Sequence, residues 1–586
     1  MLRMAKLALH LSLVIGLCPA AAWGQSPSPA VNIIPSDAVI CIEVLRPREL
    51  LNLLTGEEMS ETITGLPFYQ KLSANPGFVG LLSAVNFMEA SLATEWRDAL
   101  KVSAGGGITF AVCPGETAVL ILDAEDESLP KRIHDLLVTM VRSDAQNKSL
   151  PDPVERAEFL GVTGWSFNGK ESHALIGRRL IFSNNPEGLK RVLTLRAESE
   201  GFSFASRTDY QEAQRAVGAD TTARVFLNLR LLKSIPGVAN ALEQDKSNPL
   251  AALFLSGIVE ALRNSDWLWL GLDVVEQGLS LRAVADGKAT DPNSPAAFAQ
   301  PTSPEQGAMP NLSTPRRIAA FSFYRDLHRF YSAKDALFPE RTSQLIFFEN
   351  MMGIFFSGRD LTDEVLSEAT PALRFVVARQ AYDQATGVPQ VQLPAFAAIL
   401  RLRDTETFDE VLEEAWQKAV GLINFTRGQQ AMPGLIIDRP IHGGMKFTAA
   451  YFSTAGLDQK TNLHTRFNLR PSLAMPEDYL ILSSTDALAR DLIDALTIEA
   501  QGPRAPLPGI HSVAELDGAQ LGSILKANYE TLVRQNMVKE GSTQEQAEAN
   551  IGVFIALTSL VKHVNLRMGS QGELTEARAS IDLNLE

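Results

Sequence analysis

The 586-residue chain is poor in the residues that most directly announce chemistry, with three cysteines, eight histidines and six tryptophans. Cys18 lies in the apolar N-terminal run, so only Cys41 and Cys113 remain for the body of the protein. Neither has a second Cys or His at ligand spacing, which removes the usual zinc patterns. They sit in two strand-like apolar runs, "AVICIEV" and "GITFAVCP". In an oxidising compartment a pair at that separation closes a disulfide or persists as two buried thiols, and one sequence leaves both readings open. The seven histidines beyond the N-terminal run are His134, His173, His328, His442, His464, His511 and His563. None forms a His-Glu-x-x-His or His-x-His pattern, so a helical metal site has no support.

Positive charge is also scarce. The formal charge is −15 at pH 7, and loss of Arg3 and Lys6 with the N-terminal run makes it −17. Nucleic-acid binding rests on Lys and Arg displacing counterions from phosphates, and this balance excludes it as the expected partner. Long apolar runs are missing too. The most apolar later stretches, "PLAALFLSGIVEAL" and "IGVFIALTSLV", fall short of the roughly 20 residues needed to span a bilayer.

What is present begins with "MLRMAKLALHLSLVIGLCPAAAWGQSPSPA". Arg3 and Lys6 precede an apolar run from Leu7 to Leu17, followed by Pro19 and small residues, with Ala22 and Gly24 placed for cleavage before Gln25. This is the layout of a secretory signal peptide over residues 1–24, and it predicts export to the periplasm or the extracellular space. Acylation at Cys18 is disfavoured by Leu17, which stands where that signal requires a small residue. No membrane span is expected after removal of the signal.

The body divides in two. Residues 289–312 are rich in Pro, Ser, Asn and Gly without apolar periodicity, a linker composition. On either side the same order of elements recurs. The strands "VICIEVLRPREL" and "IAAFSFYRDLHRF" open the halves, and the helical stretches "FVGLLSAVNFMEASLATEW" and "TSQLIFFENMMGIFF" follow. Hairpins, then amphipathic helices in "SLPKRIHDLLVTMV" and "TFDEVLEEAWQKAV", come next. The turn "LIFSNNPEGLKRVL" returns as "LILSSTDALARDLI", with Leu180, Ile181 and Ser183 matched by Leu480, Ile481 and Ser483. Asn185 caps the first helix with Pro186 at its first position, and Thr485 and Asp486 fill those places in the second. An apolar helix carrying Phe254 or Phe554 and two closing strands complete each half.

Hairpins interrupted by helices predict an α+β fold. Two tandem related domains, residues 31–288 and 313–586, are expected, each a mostly antiparallel sheet covered on one face by helices. At roughly 260 residues, each half is large enough to bury about three quarters of its unfolded surface.

The opening "IIPSDAVICIEVLRPREL", the hairpin ending "VLILDAED", the turn "LIFSNNPEGLKRVL" and the closing strands together resemble a divergent group of exported bacterial proteins known as a domain of unknown function. The resemblance covers most of residues 31–288 and, more loosely, 313–586, where "RRIAAFSFYRDL" lacks the Pro-Ser-Asp opening. It rests on packing and capping patterns, and it implies no reaction, ligand or catalytic residue.

Familiar catalytic patterns fail on physical grounds. "GWSFNG" has Asn168 where a nucleophile elbow needs its second glycine. Ser523 with Lys526, and Ser559 with Lys562, satisfy only a loose Ser-x-x-Lys spacing. "HGGM" at residues 442–445 reads as a Gly-Gly hairpin, and "AGGG" at 104–107 leads into a strand instead of a helix. "DAEDE" at 123–127 lacks the spacing of a calcium loop and reads as a solvated turn. Trp267 and Trp269 share one face of a strand, which reads as core; Trp165 is a further candidate for a carbohydrate platform. No catalytic, cofactor or metal residue is assigned. The expected function is a non-enzymatic binding or structural component that meets a protein or polymer of the cell envelope. The alternative is a periplasmic or secreted hydrolase whose dispersed site lies between the domains.

Overall fold

A computed structural model describes residues 28–584, apart from stretches within 57–93 and residues 168, 170, 199–201, 219, 236, 240–247, 288–293, 304, 383–386, 406–407, 456, 458–461 and 504. The expected signal peptide and most of "FVGLLSAVNFMEASLATEW" lie outside the described residues. The fold is α+β. The chain forms two compact units, one from Met1–Ala239 and Ser265–Asp286, the other from Asn240–Asn264 and Gly287–Asn584.

The first unit holds strands β1 (Ile40–Val44), β2 (Gly107–Cys113), β3 (Thr117–Asp123), β4 (Val154–Phe159), β5 (Val162–Phe167), β6 (Glu171–Ile176), β7 (Arg179–Ser183), β8 (Ala223–Asn228), β9 (Trp267–Val275) and β10 (Gly278–Ala285). All their pairings are antiparallel, in the order β10-β9-β8-β1-β2-β3-β7-β6-β5-β4. Alternation along the strands puts Cys41, Ala111, Val119, Ile121, Ala174, Ile181, Phe226 and Trp269 on one buried face. Helices α1 (Ser128–Asn147), α2 (Pro186–Ala197) and α3 (Thr208–Val217) pack around this sheet. Leu189, Val192 and Leu193 of α2 are buried, and a side chain added at Gly164 of β5 would touch Leu189.

The second unit holds β11 (Arg317–Tyr324), β12 (Ala369–Ala378), β13 (Ala395–Leu402), β14 (Ile436–Asp438), the small hairpin β15 (Ile441–His442) and β16 (Met445–Lys446), then β17 (Thr448–Tyr451), β18 (Ser472–Ala474), β19 (Tyr479–Ser483), β20 (Ile510–Asp517), β21 (Val561–Gln571) and β22 (Leu574–Leu583). Its main sheet is also antiparallel and runs β22-β21-β20-β11-β12-β13-β19-β18-β17-β14. Helices α4 (Pro249–Asn264), α5 (Thr342–Phe355), α6 (Asp409–Gln429) and α7 (Asp486–Ala500) belong to this unit.

Both sheets carry helices on both faces, not on one as the strand pattern suggests. In the second unit Ile399, Ala474 and Ile481 pack with Leu488, Leu492 and Leu496 of α7. On the opposite face Leu402, Leu473 and Leu480 pack with Leu412 of α6. In the first unit α2 covers the Ile181 face, while His134 of α1 stacks near His173, whose register partner Phe182 faces the other way from Ile181.

The repeated turn has the same local construction twice. Ile121 lies opposite Ile181 and Ile399 opposite Ile481, all buried. Ser172 pairs with Ser183, and Ser472 with Ser483. The Ser183 hydroxyl accepts from the Asn185 amide at 3.4 Å, and Ser483 accepts from Thr485 at 3.2 Å. Asn185 then caps α2 by accepting from the Gly188 amide at 2.8 Å, and Thr485 caps α7 through the Leu488 amide at 3.2 Å.

Two boundaries differ from the sequence reading. Helix α4, expected within residues 31–288, lies in the second unit. Arg325, only 1% exposed, donates to the Leu253 and Phe254 carbonyls of α4, the Tyr324 and His511 carbonyls and the Ser512 hydroxyl. These contacts hold α4 to β11 and β20. The alignment of Phe254 with Phe554 therefore marks no shared environment: Phe254 stacks with Phe323 and Phe375, whereas Phe554 is exposed. The described part of the expected 289–312 linker is also seated in this unit. Phe298 joins a cluster with Ala252, Phe330 and Phe338, Ala308, Met309 and Leu312 are buried, and the Ala308 amide donates to the Ile510 carbonyl at 2.6 Å. A few apolar residues spaced among prolines and serines suffice to dock it.

The two caps make a matched pair for mutation. Asn185→Ala and Thr485→Ala are each expected to lower the stability of their own unit by about 1 kcal/mol, measured as a shift in urea midpoint at constant slope. A cost near zero at either position contradicts the capping role.

Candidate functional site

The residues singled out in the sequence do not converge. Cys41 and Cys113 occupy neighbouring strands, but Cys41 faces Ala111, so the two thiols are diagonal neighbours. Diagonal positions across antiparallel strands lie about 7–8 Å apart, beyond the usual disulfide span. Both cysteines are free and buried in this structure. Burial, with the nearby Glu43 carboxylate, raises the Cys41 thiol well above its ordinary pKa; burial, with Asp37, pushes Cys113 up to about 11. Neither is a reactive thiolate at neutral pH.

Ser166 of "GWSFNG" lies within strand β5, so no strained turn presents it. "HGGM" forms the β15–β16 hairpin, with Gly443 and Gly444 at φ of 56° and 82°, a left-handed pair that L side chains rarely adopt. His442 sits 2.8 Å from Asp494. "DAEDE" is not simply a solvated turn. Asp123 is buried and accepts two hydrogen bonds from Arg179, at 2.7 and 2.9 Å, while Asp126 accepts from the Leu129 amide at the start of α1. Trp267 and Trp269 are core residues. Among the described residues, no group of three or more His, Cys, Asp or Glu side chains is arranged to hold a metal.

Buried charge clusters were not read from sequence. In the first unit Arg224 donates to both Glu43 oxygens, at 2.7 and 3.0 Å, and the Tyr210 hydroxyl donates to Glu43 at 2.7 Å. Burial works against the Arg224 charge, but the Glu43 hydrogen bonds and charge outweigh it and raise its pKa. Burial and Glu43 together push Tyr210 far above the normal phenol range. In the second unit Arg374 donates to both Glu499 oxygens, at 2.8 and 3.0 Å, and Tyr479 donates to Glu499 at 2.7 Å. Burial is the leading cause lifting Tyr479 to about 12. These tyrosines stay protonated, and each carboxylate is held by two arginine nitrogens and a phenol, so the clusters brace the sheets. The only sequence signal is a lone charge inside an apolar strand, as in "ICIEV" and "LRFVV".

The outer surface of the second unit is different in kind. Helix α5, "TSQLIFFENMMGIF", has no buried residue. Phe347 is 72% and Ile354 71% exposed, with Ile346 and Phe348 also exposed. The single acid on the helix, Glu349, is paired with Lys334 at 3.0 Å. Met352 and the following Phe356 pack beside Leu412 and Trp416 of α6, and Ser357 accepts from Lys418 of α6 at 2.6 Å, which holds the helix in place. The second half of α6 adds exposed Leu422, Ile423 and Phe425. Large exposed apolar patches on folded proteins mark contact surfaces. This helix face is the candidate functional site.

The thiol assignment is open to direct titration. The chain from Gln25 onward is expected to show no reactive thiol when folded at pH 8 and two when unfolded in guanidinium without reductant. Zero thiols on unfolding would mean a bridge.

No family model and no curated protein matches the chain. Solved structures of the protein TP0453 are similar over part of it. Crystal form III aligns with 8% identity over 47% of this chain and 86% of that one, at a TM-score of 0.25. Crystal form I aligns with 9% identity over 46% and 82%, at a TM-score of 0.24, and crystal form IV with 9% over 45% and 83%, at 0.25.

Proposed function

We propose that this chain is an exported, non-catalytic binding protein of the cell envelope, made of two copies of one ancestral domain, and that the outer face of α5 is its contact surface. Export rests on the N-terminal pattern of Arg3, Lys6 and the apolar run to Leu17. Duplication is supported by the matching strand orders of the two units and by the shared Ile–Ile and Ser–Ser register at β3–β7–β6 and β13–β19–β18. The resemblance to exported domains of unknown function agrees with this reading and adds no reaction to it.

The observation that carries the binding role is the exposure of Phe347 and Ile354 on a helix with no buried side chain. Burying one such side chain contributes about 1.5–3 kcal/mol, so a partner covering several of them gains affinity without any charged contact. Among the described residues no helix is long and apolar enough to cross a membrane. A face of this kind suits a protein or polymer surface that α5 lies against.

A photoreactive amino acid at Phe347 in intact cells is expected to give a discrete envelope adduct, whereas the same group at exposed Glu187 gives none. The double change Phe347→Ser and Ile354→Ser is expected to leave the unfolding free energy within about 0.5 kcal/mol of the parent and to abolish capture of that adduct through a second probe at Ile346. Equal labelling at 347 and 187, or capture undiminished by the double change, overturns the proposal.

A further inference from the structure

His134 of α1 and His173 of β6 form a buried pair in the first unit. They are 7% and 2% exposed, and their ring centroids lie 5.2 Å apart. Aromatic rings enclose them: Trp165 is 4.9 Å from His134, and Phe167 and Phe182 are 4.9 and 5.6 Å from His173. Neither nitrogen of His173 has a hydrogen-bond partner, nor does Nε2 of His134; Nδ1 of His134 stands 3.5 Å from Asp135. A neutral imidazole always carries one N–H, so His173 holds an unsatisfied donor in an apolar pocket, a costly arrangement for a residue serving only as packing.

The second unit shows the apolar solution to the same position. His173 pairs with Phe182 one step from the Ala174–Ile181 pair. Leu473 pairs with Leu482 one step from the Ala474–Ile481 pair. Leu473 is as buried as His173 and packs against Leu412 of α6 and Leu480. The first unit thus has imidazoles between its sheet and α1 where the second has leucines between its sheet and α6.

We propose that the His134–His173 pair is an acid-sensitive latch, in which protonation of the two rings drives α1 away from this face of the first unit's sheet. Two imidazolium charges about 5 Å apart in a poorly solvated aromatic pocket repel each other and lose hydration together. The charged groups on the elements that meet the pair are Lys131, Arg132, Asp135, Arg142 and Asp144 of α1, Glu155, Arg156 and Glu158 of β4, Glu171 of β6 and Arg179 of β7. None of them hydrogen-bonds His173. Asp135 is mostly exposed and cannot neutralise both rings. Among the described residues, α1 is also held by Leu129 and Ile133, which pack with Ala99 beside Val102, Leu136 and Leu137, and by buried Pro130, Val138 and Ala145.

Burial, with His134 nearby, lowers the pKa of His173 from 6.5 to about 4. The sign follows from proton binding. Between those two values the released ring binds a proton that the docked ring does not, so docking is strongest above pH 6.5 and weakens as pH falls toward 4. His511 of the second unit is also lowered, to about 3, by burial and then by Arg325. Whole-protein acid unfolding therefore mixes two sources, and the test must resolve α1.

Hydrogen exchange of the full chain from Gln25, corrected for intrinsic rates, separates them. Protection of residues 128–147 is expected to fall about tenfold or more between pH 7.5 and pH 5, and by more than that of residues 186–197 in the same unit. His173→Leu, which restores the second unit's solution, is expected to hold the protection of 128–147 constant over that range. His134→Phe removes the like-charge pair by a second route and is expected to shrink the loss. Unchanged protection of 128–147 in the parent at pH 5 overturns the latch. An acid loss of the same size in both variants overturns it as well, since the imidazoles would then not be its cause.

Discussion

The register in which β7 returns to β3 fixes most of the first unit, and β19 on β13 does the same for the second. With Ile121 opposite Ile181, the alternation of the strand sends Ile181 and Ser183 to one face and Leu180 and Phe182 to the other. A slip of one residue would exchange the two sets. The same register sets Ser183 and Asn185 at the start of α2, so Val192 and Leu193 meet the buried face. Ser483 and Thr485 place Leu492 and Ile493 of α7 equivalently. Gly188 shows how tight the first turn is, because a Cβ there would lie 2.2 Å from the Ser183 hydroxyl.

Where helices cover both faces the inner strands have no wet side for charges, whereas the end strands β4 and β14 leave theirs exposed. Each strand charge that this register turns inward must therefore meet a partner, since an isolated buried ion is expensive. At the step before Leu180, Asp123 faces Arg179; at the step before Leu480, Arg401 faces Tyr479 and pairs with Asp478 at 2.7 Å. Asp123 bonds the residue directly opposite it, whereas Arg401 bonds Asp478, one residue before its register partner Tyr479. Arg325, just past the end of β11, uses no carboxylate: burial lowers its pKa to about 10, and four carbonyls and one hydroxyl accept its hydrogen bonds. The unpartnered nitrogens of the adjoining His134 and His173 and the uncovered phenylalanines of α5 are features that this pairing of charges does not explain.

Much of this architecture was legible in the chain. Apolar alternation located the strands, and Asn185-Pro186 and Thr485-Asp486 marked the helix starts. Composition also suggested a linker, but Phe298, Met309 and Leu312 are too sparse for periodicity to reveal and they dock only because the folded unit supplies a surface. The placement of α4 was hidden for a similar reason, because its anchor Arg325 lies some seventy residues away and bonds to backbone, which carries no sequence identity. The candidate surface was visible as "TSQLIFFENMMGIFF" but read as an ordinary helical stretch. An apolar helix says nothing about whether it is covered. The histidines were visible too, yet their pairing depends on α1 crossing β6, a contact between residues 39 positions apart in sequence.

The most direct test of the shared register is cross-strand bridging in a chain whose Cys41 and Cys113 are changed to alanine. Leu122→Cys with Leu180→Cys, and Leu400→Cys with Leu480→Cys, place thiols at direct register partners in the two units. The account predicts that both pairs bridge on mild oxidation, while the offset pair Leu122→Cys with Ile181→Cys does not. Bridging of the offset pair, or of only one of the two matched pairs, would contradict it.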